Sequence, residues 1–480
     1  MLTWIALAAL VLFSAAAYAA GRRKALGAAG GTALTLHSLP GYYGAYFALW
    51  VAAPAALLLI LVTVLGGRIE QAALRAEVPA AVAELAPSAQ EVFFNDVQAT
   101  VRSTRASDRV YEGQLGDAFA AKVAQAERLD GAITFGALAA AVALMLAGAA
   151  YAWPRLRPAY AARPQVERWI SAIFIACSVV AILTTVGIVA SLVWESWRFF
   201  QSVPVTEFLF GLTWDPQIAI RADQVASSGA FGAVPLFAGT FLIMIIAMAV
   251  AAPVGLFAAI YLSEYAGRTT RAVVKPLLEV LAGIPTVVYG FFAALTVGPL
   301  FRGFFNSIGA QLVGGPLDGV GMYLMQVQNQ MALVAGAVMG IMLIPFVSSL
   351  SDDIINAVPQ SLRDGSLAMG ATQSETIGRV IMPAALPGIM GALLLAVSRA
   401  VGETMIVTMA AGLQAKTTLN PLDTVTTVTV QIVTLLTGDQ EFDSPKTLSA
   451  FGLGLTLFLV TLLLNIIALR IVQTYREQYD

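Results

Sequence analysis

The sequence predicts an all-α polytopic membrane protein, and three observations carry that prediction. Of 480 residues, 58% are apolar and only 12% charged, whereas soluble domains carry about 25% charged residues. Nine separate runs approach or exceed the roughly 20 apolar residues that a membrane helix needs. Those runs are continuously apolar and do not alternate, so they do not suit the strands of about ten residues that build a membrane barrel. Lipid offers no partner to an open backbone group, which leaves helices as the spanning element.

The nine predicted spans lie near 2–20, 42–65, 132–153, 169–197, 233–262, 276–301, 331–350, 387–412 and 447–472. Basic residues mark one side of the membrane. Arg22, Arg23 and Lys24 follow the first span, and Arg155, Arg157, Arg163 and Arg168 fill the link between the third and fourth. Arg268, Arg271 and Lys275 follow the fifth, Arg363 and Arg379 precede the eighth, and Arg476 follows the ninth. With nine alternating spans all of these share one face, the cytoplasmic one by the positive-inside rule. The N-terminus is then expected outside and the C-terminus in the cytoplasm. The first span has no basic leader, so a retained helix is expected in place of a cleaved signal peptide.

Residues 66–131 form the long hydrophilic stretch, with Val92, Phe93, Val97 and Val101 at roughly helical spacing. A small helix-rich region outside the membrane is expected, serving as a spacer or cap, or as a docking or sensing surface. The segment RLRPAYAARPQVER at 155–168 is rich in Pro and Arg and reads as a basic cytoplasmic linker. It separates a three-span N-terminal part, 1–154, from a six-span part, 169–480. The stretches 198–232, 302–330 and 413–446 read as outer loops.

Several chemistries are excluded. The net charge of -2 gives no footprint for nucleic acid. Cys177 is the one cysteine and is expected in packing, and His37 is the one histidine. No metal site or histidine-based triad can be assembled from these. No G-x-x-x-x-G-K-[ST] loop occurs, so ATP hydrolysis by that chemistry is not expected within this chain.

The informative stretch is Ser361–Gly412. A short polar helix is predicted over 361–369, ended by Gly370 at a permissive cap position. A second, over 374–381, is expected to start on Thr372 or Ser374 and to stop before Pro383. Two short helices at a membrane surface form a knob suited to a groove on a soluble partner. An apolar span follows, bearing Arg399 and Glu403. Four residues apart, the two are expected on one helix face. Charges at membrane depth face a bundle interior or a water-filled path. They read either as an internal salt bridge or as a planar cation for an oxyanion, with Glu403 holding Arg399 in place. Ala282-Gly283-Ile284-Pro285 reads as a packing kink or a gating helix inside the sixth span. Lys275 is expected to pair with Glu279, and Glu195 to anchor an interface between Trp194 and Trp197.

The spacing Asp364-Gly365-Ser366, three residues, Gly370, nine residues, then Val380-Ile381-Met382-Pro383 resembles the EAA motif of ABC-importer permeases. Gly365 departs from the alanine of that motif and weakens its helix by about 1 kcal/mol, while Asp364 keeps the carboxylate. The resemblance implies a six-helix ABC-importer permease core at 169–480, and a coupling loop at 351–386 contacted by an ATP-hydrolysing subunit. The phrases LPGIMGALLLAVSRAVGETMIV, KPLLEVLAGIPTVVYGFFA and APVGLFAAIYLSEYA are similar to the PstC-type half of the phosphate-specific ABC importer. So are GLTWDPQ at 211–217 and GAVPLFAGTF at 232–241, and the likeness covers about 168–475. In that family the Arg and Glu of the R-A-x-G-E-T block are tied to phosphate passage; they fall on Arg399 and Glu403. The resemblance further implies a bacterial inner-membrane location and no cofactor. The implied partners are a PstA-like second permease, a PstB-like ATPase dimer and a PstS-like external binding protein. A permease for phosphonate, sulfate or molybdate, and a membrane scaffold or sensor, are the competing readings. The three-span extension 1–154 lies outside the shared core.

Overall fold

The computed structural model describes residues 2–83, 87–102, 111–217, 229–437 and 444–475. Arg476, used above to orient the last span, lies outside them. The chain divides into two compact units, Met1–Leu183 and Thr184–Asp480, with the division falling inside one long helix.

The first unit contains α1 (Leu2–Ala28), α2 (Pro40–Ala76), the single turn α3 (Ala80–Ala83), α4 (Pro87–Arg102), α5 (Gln114–Ala152) and the first part of α6 (Ala162–Ser202). Its membrane core is aromatic: Tyr43, Tyr46 and Phe47 of α2 pack with Ala25, Ala152 and Leu156. The segment 155–168 belongs to this core. Leu156, Ala162 and Val166 are buried, and the Tyr43 hydroxyl donates to the Pro158 and Tyr160 carbonyls, both at 2.8 Å. The hydrophilic stretch is helical as its periodicity predicts. Phe93 and Val97 of α4 are fully buried against Leu74, Val82 and Ala126, where α2 and α5 extend beyond their apolar portions.

The second unit begins in α6 and continues through α7 (Val205–Phe210), a two-residue antiparallel pairing of β1 (Trp214–Asp215) with β2 (Ala230–Phe231), and α8 (Val234–Ile260). Then come α9 (Arg268–Ala282), α10 (Thr286–Phe292), α11 (Gly298–Leu312), α12 (Asp318–Met325) and α13 (Ala332–Ala357). The chain ends with α14 (Gln360–Ala368), α15 (Gln373–Thr376), α16 (Met382–Val401), α17 (Met405–Ala410), α18 (Val428–Leu436) and α19 (Pro445–Tyr475). The α8–α13 pair is the centre. Gly336 and Gly340 of α13 lie so close to α8 that a Cβ at Gly340 would come within 2.8 Å of the Ala247 carbonyl oxygen. Small residues that let backbones approach are how helices associate where lipid is as apolar as leucine. Ala247, Ala251, Val334, Val338, Met339 and Leu343 are buried along this seam.

Among the described residues, eight helical stretches are long and apolar enough to cross a membrane. The remaining expected span falls on α1, a helix of 27 residues. Three sequence expectations require correction. The sixth span does not start at 276: α9 is a separate helix ending at Ala282, and the apolar helix runs from Thr286 to Leu312. Pro285 has no N–H to offer the Leu281 carbonyl; the Tyr289 hydroxyl donates to it instead, at 3.0 Å. The stretches 302–330 and 413–446 are not plain loops, since they hold most of α11, all of α12, and α18. Cys177, expected in internal packing, is exposed on α6, among the outward apolar side chains of Phe174, Ile175 and Val180.

Candidate functional site: a docking loop joined to a broken membrane helix

At one end of α13 the chain turns through Val358 and Pro359 into α14. Gly370 ends this helix with φ +87°, in the left-handed region. The Ala371 N–H donates to the Ser366 carbonyl at 3.2 Å and the Gly370 N–H to that of Leu367 at 3.0 Å. This double closure satisfies carbonyls that a helix end leaves open. Thr372 then caps α15 in a reciprocal box: the Glu375 N–H donates to its hydroxyl at 3.3 Å, and its own N–H donates to the Glu375 carboxylate at 3.0 Å. A hydroxyl–hydroxyl bond of 2.9 Å between Ser366 and Thr376 ties the two short helices together.

The expected stop before Pro383 is not found. A π-turn over Ile377–Ile381 leads straight into α16, with the Met382 N–H reaching back to the Ile377 carbonyl. Wider winding suits Pro383, which cannot donate and whose ring would crowd the carbonyl four residues earlier in a regular helix. Gln373–Val401 is therefore one helical rod of 29 residues. Ile377, Ile381, Ala385 and Ile389 seat it against Ala259, Ile355 and Val358. Arg363 fixes α14 from the other side. Its guanidinium pairs with Glu264 at 3.0 Å and donates to the carbonyls of Ile355 and Val358. What stays outside is Asp364, Gly365, Leu367 and Met369, all exposed. Asp364 accepts a bond from Gln360 at 3.1 Å. Nothing lies within 4 Å of where a Cβ of Gly365 would be.

At the far end of the rod the single predicted span 387–412 is broken. Helix α16 ends at Val401 with Gly402 as its cap, and α17 starts three residues later at Met405. Arg399 and Glu403 consequently do not share one helix face as a pair. No carboxylate lies within 4.0 Å of Arg399 among the described residues. Arg399 is exposed, with its guanidinium 5.5 Å from the centre of the Phe346 ring of α13. Glu403 is half-buried and acts as a cap: its Oε1 accepts from the Met405 N–H at 3.0 Å and the Ile406 N–H at 3.4 Å. A carboxylate at the N-terminal end of a helix is stabilised by the open N–H groups there. The Glu403 carbonyl in turn accepts from the Thr429 hydroxyl at 2.9 Å. Arg399 thus keeps an uncompensated positive charge close to a helix break lined by Thr404 and Thr429.

The structure adds a network that residue reading missed. Asp352 of α13 is almost fully buried and holds two cations of α9: Arg271 through both carboxylate oxygens at 3.0 Å and Lys275 at 2.8 Å. Lys275 also reaches Asp353, at 3.2 Å. The expected Lys275–Glu279 pair is replaced by these contacts. The hydrogen bond that Lys275 donates to Asp352 holds its ammonium above the ordinary lysine value, outweighing the opposite pull of partial burial. A cavity of about 250 Å³ adjoins the network, lined by Lys275, Glu279, Phe346, Ser348 and Asp352. Phe346 connects this cavity to Arg399. The available signal was the Asp352-Asp353 pair closing an otherwise apolar helix, opposite a basic amphipathic one.

Residues 251–477 match the family described as binding-protein-dependent transport system inner membrane component. Over 291 residues the chain is 32% identical to the probable ABC transporter permease protein YqgH of Bacillus subtilis, covering 60% of this chain and 85% of that one. The phosphate transport system permease protein PstC of Mesorhizobium japonicum is 30% identical over 303 residues, 61% of this chain and 86% of its own length. The chain belongs to the PstC-type permease family. A PstC permease of Mycobacterium tuberculosis is 34% identical over 252 residues, 50% of this chain and 71% of that one. Residues 7–184, nearly coincident with the first compact unit, match a separate family described as phosphate ATP-binding cassette transporter. Family and helices together make this a multi-pass inner-membrane transport component.

Proposed function

We propose that this chain forms one half of the translocation pathway of an ATP-driven importer of inorganic phosphate. One observation carries the reading. The rod Gln373–Val401 runs unbroken from the capping box at Thr372 to Arg399, roughly 40 Å at 1.5 Å per residue. Force applied to α14 enters a rod whose other end bears the free cation. Asp364, Gly365, Ser366, Gly370 and Pro383 belong to the coupling loop, on which exposed Leu367 and Met369 offer apolar contacts to a groove on an ATPase partner. Arg399 meets the anion transiently, because a pathway that binds too tightly cannot release. Glu403 shapes the break beside it.

ATP hydrolysis takes place in a separate PstB-like dimer, a PstA-like permease completes the pore, and a PstS-like binding protein delivers phosphate from outside. The loop face is cytoplasmic and the N-terminus external, as the basic residues at the span ends imply. Residues 169–480 form the permease domain, and 1–154 an extension joined through 155–168. The substrate named for the relatives supports phosphate over other oxyanions.

The test is uptake by cells that lack their own phosphate importer, supplied with this chain and the three partner types. Radiolabelled phosphate is expected to enter, and unlabelled sulfate, molybdate or phosphonate in excess is expected not to compete. Competition by one of these would reassign the substrate. Retrieval of this chain only with signalling proteins, and never with an ATPase, would favour the scaffold reading.

A further inference from the structure

At the end of α13 opposite the coupling loop lies a second cavity, of about 500 Å³, lined by Arg302, Gln326, Gln328, Asn329 and Gln330. No acidic residue lines it. Its volume falls in the range of small-molecule sites. Arg302, on α11, is exposed and has neither an ion pair nor a hydrogen bond among the described residues. The nearby Lys416 differs: Asp423 already holds it at 2.9 Å. The side chains of Gln326 and Gln328 are also exposed and unbonded among the described residues, so their amide donors are available.

This pocket adjoins the site above through α17. The Gln330 amide donates to the Met409 carbonyl at 3.2 Å, and the Met331 N–H to the Ala410 carbonyl at 3.1 Å, both at the C-terminal end of α17. Glu403 caps the other end of the same helix. Six residues separate the two ends, about 9 Å at 1.5 Å per residue. The chain beyond Gln330 is anchored in turn, since the Ala332 N–H donates to the Asp423 carbonyl at 3.0 Å.

We propose that Arg302 and the amides of Gln326 and Gln328 form an outer receiving site for a tetrahedral oxyanion, one short helix ahead of Arg399. The inference rests on the importer reading and deepens it. A planar guanidinium in an acid-free, amide-lined cavity attracts and orients an oxyanion. Exposure keeps its hold weak enough to pass the ion on.

The experiment uses the complete importer in liposomes with inorganic phosphate and the loaded binding protein. It reads phosphate carried per ATP hydrolysed and the half-saturating concentration of binding protein. Arg302→Ala is expected to lower phosphate per ATP about three-fold or more, with Arg302→Lys restoring only part of it, because the charge is kept and the planar fork is lost. The binding-protein requirement is expected to stay within about two-fold, since the lost contact is to the ion and not to the protein. Gln326→Ala with Gln328→Ala gives a second variant pair with the same expected direction. An unchanged ratio in Arg302→Ala overturns the proposal. So does a raised binding-protein requirement at constant ratio, which would make Arg302 a docking contact. Failure of the wild-type complex to carry phosphate overturns the importer reading itself, and is seen before any variant is compared.

Discussion

Glu403 is a residue at which charge and capping can be separated by the choice of replacement. A glutamine retains an acceptor for the Met405 and Ile406 N–H groups, whereas an alanine leaves them open. Glu403→Ala is expected to cost about 1 kcal/mol of stability and to lower uptake. Glu403→Gln is expected to leave thermal stability nearly unchanged and still lower uptake, because it removes the negative charge from the helix break that follows Arg399. Equal uptake in Glu403→Gln and wild type would reduce Glu403 to a cap. The sequence did disclose that charges at 399 and 403 stand inside an apolar run. It did not disclose that they part company, because hydropathy measures composition and a helix break is set by local hydrogen bonds. The signal lay in Gly402-Glu403-Thr404, a small residue followed by an acid and a hydroxyl at a helix start.

At the scale of elements, the loop between α13 and α16 is held by local devices that substitutions can weigh. Gly370→Ala places a Cβ at φ +87° and is expected to destabilise the loop by about 1 kcal/mol. Gly365→Ala meets open space and is expected to strengthen α14 by about 1 kcal/mol without loss of uptake. Amide hydrogen exchange over 360–376 reads both; equal protection in the two variants would contradict the closure described at Gly370. The caps at Gly370 and Thr372 were legible in the sequence, since turn chemistry is local. The passage through Pro383 was not, because a π-turn leaves no mark in residue type. The Asp352 network was hidden for another reason: its partners stand on a helix more than 70 residues away in sequence. Asp352→Asn takes the carboxylate from Arg271 and leaves Lys275 to Asp353, with both cations about one-third exposed. Allowing for that solvation, a loss of about 2 kcal/mol is expected in thermal unfolding. The sign with pH follows from Lys275. Its raised value means that its contribution is complete below the ordinary lysine value of 10.5 and fades as pH rises through the folded-state value. Wild-type stability is therefore expected to fall more steeply above that pH than that of Asp352→Asn. Parallel curves would mean that Lys275 contributes nothing there.

For the whole molecule, the helical class and most of the apolar helices followed from length and hydropathy, because lipid admits few backbone solutions; the sixth and eighth spans shifted where local breaks divide them. The division of the chain followed less directly. The Pro- and Arg-rich segment 155–168 reads as a linker, yet Leu156, Ala162 and Val166 bury themselves in the first unit, and the contact boundary lies further on, inside α6. Residue type marked the turn and packing set the unit. Deleting 1–154 is expected to leave phosphate passage intact in the assembled importer, since the rod, the break and both cavities lie in the second unit; complete loss of uptake from a complex that still assembles would place the extension in the transport cycle. The central claim is that the rod joins ATP-driven motion at α14 to an anion at Arg399. It is tested most directly by ATP-dependent uptake of radiolabelled phosphate into liposomes bearing the complete importer, with wild-type chain or Arg399→Ala at equal assembly. Robust wild-type uptake is expected, with uptake at background in Arg399→Ala while ATP hydrolysis continues. Wild-type rates of phosphate uptake in Arg399→Ala would contradict it.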